Sequence, residues 1–143
     1  MKNEPVIIER NFNAPAIKVW KAITNNDQMK QWYFDLKEFK TEVGFEFSFN
    51  GGPSPEKQYH HICVITEVQY CKKISYSWRF EGYDGISFVT FELFAGGENQ
   101  TRLKLTHAGL ETFPVSNPDL AKHNFVAGWT DLIGRSLKEF LEN

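Results

Sequence analysis

The chain has 143 residues, 41% of them hydrophobic and 24% charged, with a formal net charge of −2. That length supports one domain spanning residues 1–143, with a core of its own, and the balance of charge excludes the basic field that nucleic acid or an anionic membrane surface would require. The unusual count is 13 Phe, 5 Tyr and 4 Trp, rings enough to fill a core or to line a cavity.

In chain order, "PVIIERNF" (5–12) is rich in branched residues and ends before a turn, which predicts a strand. "NAPAIKVWKAITN" (13–25) predicts a helix, with Pro15 in its first turn and Ile17, Trp20 and Ile23 or Thr24 on one apolar face. A second short helix follows, capped by Asn26 and carrying Met29, Trp32 and Tyr33.

From about residue 36 to 108 the period changes to two. In "GFEFSFNGG", Phe45, Phe47 and Phe49 share a face. "GGPSPEKQ" reads as a loop, "HHICVITEVQY" (60–70) as a strand and "CKK" as a turn. "ISYSWRFEG" puts Tyr76, Trp78 and Phe80 on one face and leaves Arg79 solvated on the other. Strands at about 86–95 and 100–107 flank a Gly96-Gly97 turn, and Leu103, Leu105 and His107 face the same way.

A long last helix is predicted from Asn117 as cap and Pro118 in the first turn, near 25 residues in all. Its stripe is Trp129, Leu132, Ile133, Ser136, Leu137 and Phe140. Gly128-Trp129 in its middle is unusual, since glycine costs a helix about 1 kcal/mol relative to alanine. The expected reason is a close approach to the backbone at Gly128, with Trp129 pointing into the space between helix and sheet as core plug or cavity wall.

The order is strand, two short helices, a run of antiparallel strands giving about seven in total, then the long helix. That is an α+β domain. The sheet's apolar face needs a cover, and only the last helix is long enough, so the sheet is expected to curl around it.

Chemistry-bearing motifs are few. Cys63 and Cys71 match no zinc or redox spacing and read as structural thiols. His60 and His61 are adjacent on a strand and cannot ligate one metal from the same face. No phosphate loop, nucleophile elbow or paired carboxylates occur, so neither a cofactor nor a metal is expected. No N-terminal apolar segment resembles a signal peptide, and reduced thiols in a cytoplasmic protein are expected.

"FNAPAIKVWKAIT", "QWY", "EVQYCKKISYSWRFEG", "TRLKLTHAGL" and the late "GW" occur in an order that resembles the family related to the activator of the heat-shock-ninety chaperone ATPase. That family lies within the START-related helix-grip (SRPBCC) superfamily, and the resemblance covers residues 5–142. It implies a curved antiparallel sheet gripping a C-terminal helix, with a hydrophobic cavity between them.

Three functions follow from it. The first is a module that binds a small apolar or aromatic molecule, with Trp32, Phe47, Trp78, Phe91, Trp129 and Phe140 lining the cavity and His107 as a polar anchor. The second is a chaperone-regulating interaction domain, or self-association through a sheet edge. The eukaryotic co-chaperone's additional N-terminal domain has no counterpart in this sequence. The third, a cavity enzyme such as a cyclase or hydrolase, ranks last for want of a nucleophile or an acid–base pair.

Overall fold

A computed structural model describes residues 4–142. Its framework is one curled antiparallel sheet, β1 (Val6–Phe12), β2 (Glu46–Ser54), β3 (Lys57–Gln69), β4 (Lys73–Phe80), β5 (Ser87–Ala95) and β6 (Thr101–Ala108). The strand order is β1-β6-β5-β4-β3-β2. The first strand therefore pairs with the last, Val6 opposite His107 and Phe12 opposite Thr101. The domain is α+β, as the pattern predicts.

The described residues form six strands, not the expected seven. Residues 36–44 form no strand. Leu36 and Phe39 are both buried, but they stand three apart among exposed Lys37, Glu38 and Lys40. A pleated strand turns successive side chains to opposite faces, so this spacing cannot serve one. The stretch expected as a loop after Asn50 instead continues β2 to Ser54. It turns at Pro55-Glu56 and returns as β3, with a register shift between Gly51 and Ser54. Gly52 permits the crossing: a Cβ there would stand 1.9 Å from the Lys57 carbonyl oxygen.

Two short helices, α1 (Ala16–Thr24) and α2 (Asn26–Trp32), follow β1. Pro15 precedes α1 as its cap rather than entering it, and the buried face is Val19, Trp20, Ala22 and Ile23, while Ile17 is exposed. The cap of α2 is Asn25, not Asn26: its side chain accepts the Gln28 N–H.

The predicted last helix is broken near its start. Asn117 does cap, accepting the Asp119 N–H, but Pro118–Leu120 makes only a 3₁₀ turn. Ala121 is extended, with ψ 148°. The helix proper runs as α3 (Lys122–Asp131), a π-helical segment (Leu132–Leu137) and α4 (Lys138–Glu142). The π segment has a reason in the sequence. Phe125, Trp129, Ile133, Leu137 and Leu141 recur every fourth residue and all contribute to the core. On a helix of 3.6 residues per turn such a row drifts by about 40° per step. Wider turns in the middle absorb that drift and keep the row on the sheet.

The helix is also tied to the chain's other end. Lys18 Nζ donates to the Leu141 carbonyl (2.7 Å), and the Asn13 N–H donates to Glu142 Oε2 (3.0 Å). Among the described residues no helix is long and apolar enough to cross a membrane.

Candidate functional site

The inner face of the sheet and the row on the last helix meet in a dense aromatic interior. Its far end is sealed and its near end is open.

At the sealed end Trp129 is buried against Trp78, Phe91 and Tyr33, with ring centroids 5.8 to 6.0 Å apart. Its indole N–H donates to His107 Nδ1 at 3.0 Å. His107 Nε2 lies 2.7 Å from Ser87 Oγ, which lies 2.9 Å from the Trp78 carbonyl. An indole only donates and a carbonyl only accepts, so the protons have one arrangement. Nδ1 accepts, Nε2–H donates to Ser87, and the Ser87 hydroxyl donates to Trp78. Burial pushes the His107 pKa down to about 3, so the ring is neutral and this tautomer is fixed. The relay ties α3 to β6, β5 and β4 in turn. Both nitrogens of His107 are therefore engaged by the protein, which gives the residue a structural part.

Gly128 does not act as expected. It is exposed, and a Cβ there would meet nothing within 4 Å. Trp129 alone carries the structural reason for this pair of residues.

The open end is a cleft of about 330 Å³. One wall is Gly51, Gly52 and Pro53 of β2 with Tyr59 and His61 of β3. The opposite wall is Asp119 and Leu120 of the 3₁₀ turn with Asn124 and Phe125 of α3, and Phe34 and Phe80 complete the lining. The strand parity that buries Cys63 and Ile65 also turns Tyr59 and His61 inward. Phe34, Phe49 and His61 form a continuous stack, with centroids 4.1 and 4.4 Å apart. His61 Nδ1 lies 3.0 Å from the Tyr59 carbonyl, so it carries the proton there. Burial lowers its pKa to about 4, against the pull of the Tyr59 and Phe49 carbonyls. The imidazole is thus neutral at ordinary pH, and Nε2 presents a lone pair.

The rim is polar but internally compensated. The Tyr59 hydroxyl donates to Asp119 Oδ2 (2.7 Å), and Lys57 Nζ reaches the same oxygen (2.8 Å). Asn117 Nδ2 donates to the Tyr59 oxygen (3.1 Å). The hydrogen bond from Lys57, then that from Tyr59, holds the Asp119 carboxyl below its usual range. Nothing in this arrangement offers a free base.

The residues expected at a ligand lie mostly behind the cleft. Trp78 touches His61, Phe80 and Phe125, three of its lining rings, and His107 touches Phe125. Trp129 and Phe91 pack deeper. Trp32 is buried against Tyr33 with its N–H on the Ala22 carbonyl, Phe47 packs on Tyr76 and Phe39, and Phe140 is half-buried near α4's end. Sequence reasoning missed Phe34, Tyr59, His61 and Phe125. Parity with Cys63 marks the first two strand residues, and the four-residue step to Trp129 marks Phe125. Phe34 follows α2 with no periodic signal.

Cys63 is buried, its thiol pushed up by burial, and Cys71 is half-buried; both are free. Among the described residues no three His, Cys, Asp or Glu side chains group to hold a metal ion.

With this geometry in hand, comparison with other proteins places the chain. The family model described as "Activator of Hsp90 ATPase homolog 1-like protein" matches residues 13–142. No curated protein matches. Among solved structures, a protein of Mesorhizobium loti is 25% identical, covering 96% of each chain, with a TM-score of 0.78. An HSP90 activator from Plasmodium falciparum is 24% identical, covering 97% of this chain and 96% of that one, with a TM-score of 0.73. DynU16, from the dynemicin biosynthetic locus, is 23% identical with a TM-score of 0.77. The match covers 99% of this chain but only 48% of DynU16, so the chain spans about half the length of that relative. At these identities the last two likenesses concern the fold.

Proposed function

The chain belongs to the activator of Hsp90 ATPase homolog 1-like family, and on that premise we propose that it binds one small, uncharged, ring-bearing molecule in the cleft between the β2–β3 hairpin and the start of α3. The observation that carries this reading is the cleft itself, an opening of about 330 Å³ walled by aromatic rings beside the buried aromatic core. Ligand pockets run from roughly 300 to 1,000 Å³, so this one suits a molecule of one or two rings.

The electrostatics favour an uncharged occupant. His61 is neutral, and Asp119 and Lys57 answer each other at the rim. A charged ligand would leave water for a wall with no counter-charge to offer. Family membership by itself does not bring a chaperone activity, because function resides in the site and not in the fold. Trp129 and Phe91 serve in this reading as the backing against which Trp78 and the lining rings pack.

The test is tryptophan fluorescence titrated with a panel of one- and two-ring apolar compounds, since Trp78 stands against three of the lining rings. Saturable quenching is expected for some of them. The control is Gly51→Leu, whose side chain would grow toward His61 Cε1, 3.4 Å from the added Cβ. That variant is expected to keep its circular dichroism and lose the response. A panel without any saturable response would sink the proposal and turn attention to protein partners, the chaperone first.

A further inference from the structure

The interior has two clusters of polar groups facing rings, and only one of them is complete. At the sealed end every donor has an acceptor. Trp78, at the junction of the two ends, is different. The residue is 5% exposed, and its indole N–H has no hydrogen-bond partner. Buried polar groups are almost always paired, so an orphan of this kind calls for a reason.

The surroundings explain why the protein does not supply one. Phe49, Phe80 and Phe125 around the indole carry no acceptor. His107 Nδ1 is taken by Trp129, and its Nε2–H is a donor. Ser87 lies on the Trp78 carbonyl, not on the ring nitrogen. His61 Nε2 is an acceptor, but it makes no hydrogen bond with the indole, the two rings meeting at 89° with centroids 5.0 Å apart. Trp32 and Trp129, by contrast, place their indole N–H groups on a carbonyl and on a ring nitrogen. This chain can satisfy a buried indole, and at Trp78 it does not.

The position of this donor gives it a use. Three of the rings that touch Trp78, namely His61, Phe80 and Phe125, line the cleft. Phe125 is only half-buried and stands at the start of a helix preceded by an extended residue, Ala121. Trp78 itself is not part of the lining and its nitrogen is enclosed, so a molecule in the cleft meets the indole where the half-buried Phe125 ring gives way.

We infer that the molecule bound in the cleft carries a hydrogen-bond acceptor, a carbonyl or ether oxygen set on its ring system, and that Trp78 Nε1–H selects for it. This rests on the proposed binding reading and narrows its ligand class from any apolar ring to a ring ketone, ether or the like. The selection is the gain of one hydrogen bond, because the donor is already unpaired in the free protein and stays so with a ligand that lacks the oxygen.

Indane and 1-indanone test the inference, because they share one ring skeleton and differ by a carbonyl oxygen. Both are titrated against the wild-type protein and against Trp78→Phe, with affinity read by calorimetry. The ketone is expected to bind the wild type about fivefold tighter, and the gap is expected to vanish in Trp78→Phe. Should that variant fail to fold, the wild type labelled with ¹⁵N at its indoles gives a second reading. One indole N–H signal is expected to move downfield with 1-indanone and stay put with indane, while the Trp129 signal remains on His107. Equal binding of the two compounds, or a gap that survives in Trp78→Phe, overturns the inference while leaving the cleft as a binding site. Binding of neither compound removes the cleft reading and the inference together.

Discussion

His61 and His107 make an instructive pair. Both point inward from the same sheet, both are buried among rings, and both are held neutral by burial. Yet His107 has a protein partner on each nitrogen and locks four elements together, while His61 uses Nδ1 on the neighbouring carbonyl and stands in the wall of an open cleft. Burial and a lowered pKa are common to the two ends. What separates a fastening from a site is whether the surrounding polar groups are already satisfied.

Acid should expose what the two histidines share, and with the largest effect. In the unfolded chain each takes up a proton below about pH 6.5, whereas in the fold His61 resists to about 4 and His107 to about 3. Between these limits the unfolded state binds more protons, so stability is complete above about pH 6.5 and falls as the pH drops. The slope is up to about 1.4 kcal/mol per pH unit for each histidine. Carboxylates held down by their partners, such as Asp119 and Glu142, add their loss only at lower pH. Urea unfolding at a series of pH values should give a slope that His61→Phe cuts by half. A flat profile between pH 4 and 6.5 would break the comparison at its root.

Substitutions then pull the two ends apart. His107→Ala empties a fully buried volume, orphans the Trp129 N–H and takes away the donor that Ser87 Oγ accepts from. The expected loss is about 4 kcal/mol in urea unfolding at pH 7. Ser87→Ala removes only the middle link, and about 1–2 kcal/mol should go with it. A loss in Ser87→Ala as large as that in His107→Ala would mean that the relay is not the fastening described. Gly128→Ala, remote from both ends, is expected to raise stability by about 0.5–1 kcal/mol, since the position is exposed, helical and clear of neighbours. A destabilised Gly128→Ala would restore the close approach that the sequence suggested.

Much of the fold is legible in alternation. Phe47, Trp78, Leu105 and His107 all face the core as their parity requires, and the long last helix covers them. What escaped reading was local. A proline in a plausible first turn, Pro118, began a 3₁₀ turn instead, because Ala121 bends the chain before α3. The π segment was written in the every-fourth spacing from Phe125 to Leu141, a period that a search for 3.6 passes over. The cleft was the least legible part. Its lining comes from a hairpin, β4, a 3₁₀ turn, the start of α3 and Phe34 two residues past α2, and only their meeting in space makes a wall. His61 was visible by parity, yet its place beside His60 drew notice only as an argument against a metal.

The pairing of β1 with β6 bears on how the molecule comes into being. Val6 finds its partner only at His107, and Phe12 at Thr101. During vectorial synthesis, β1 has no strand to lie against until all the others have been made, and contacts so distant in sequence close slowly. The helix that carries Trp129 comes later still, so the His107 relay and the far wall of the cleft are the last parts to be assembled. Until then the inward rings of five strands face water. The interval before that helix emerges, and not the folding of the early helices, is when this domain is most exposed to aggregation.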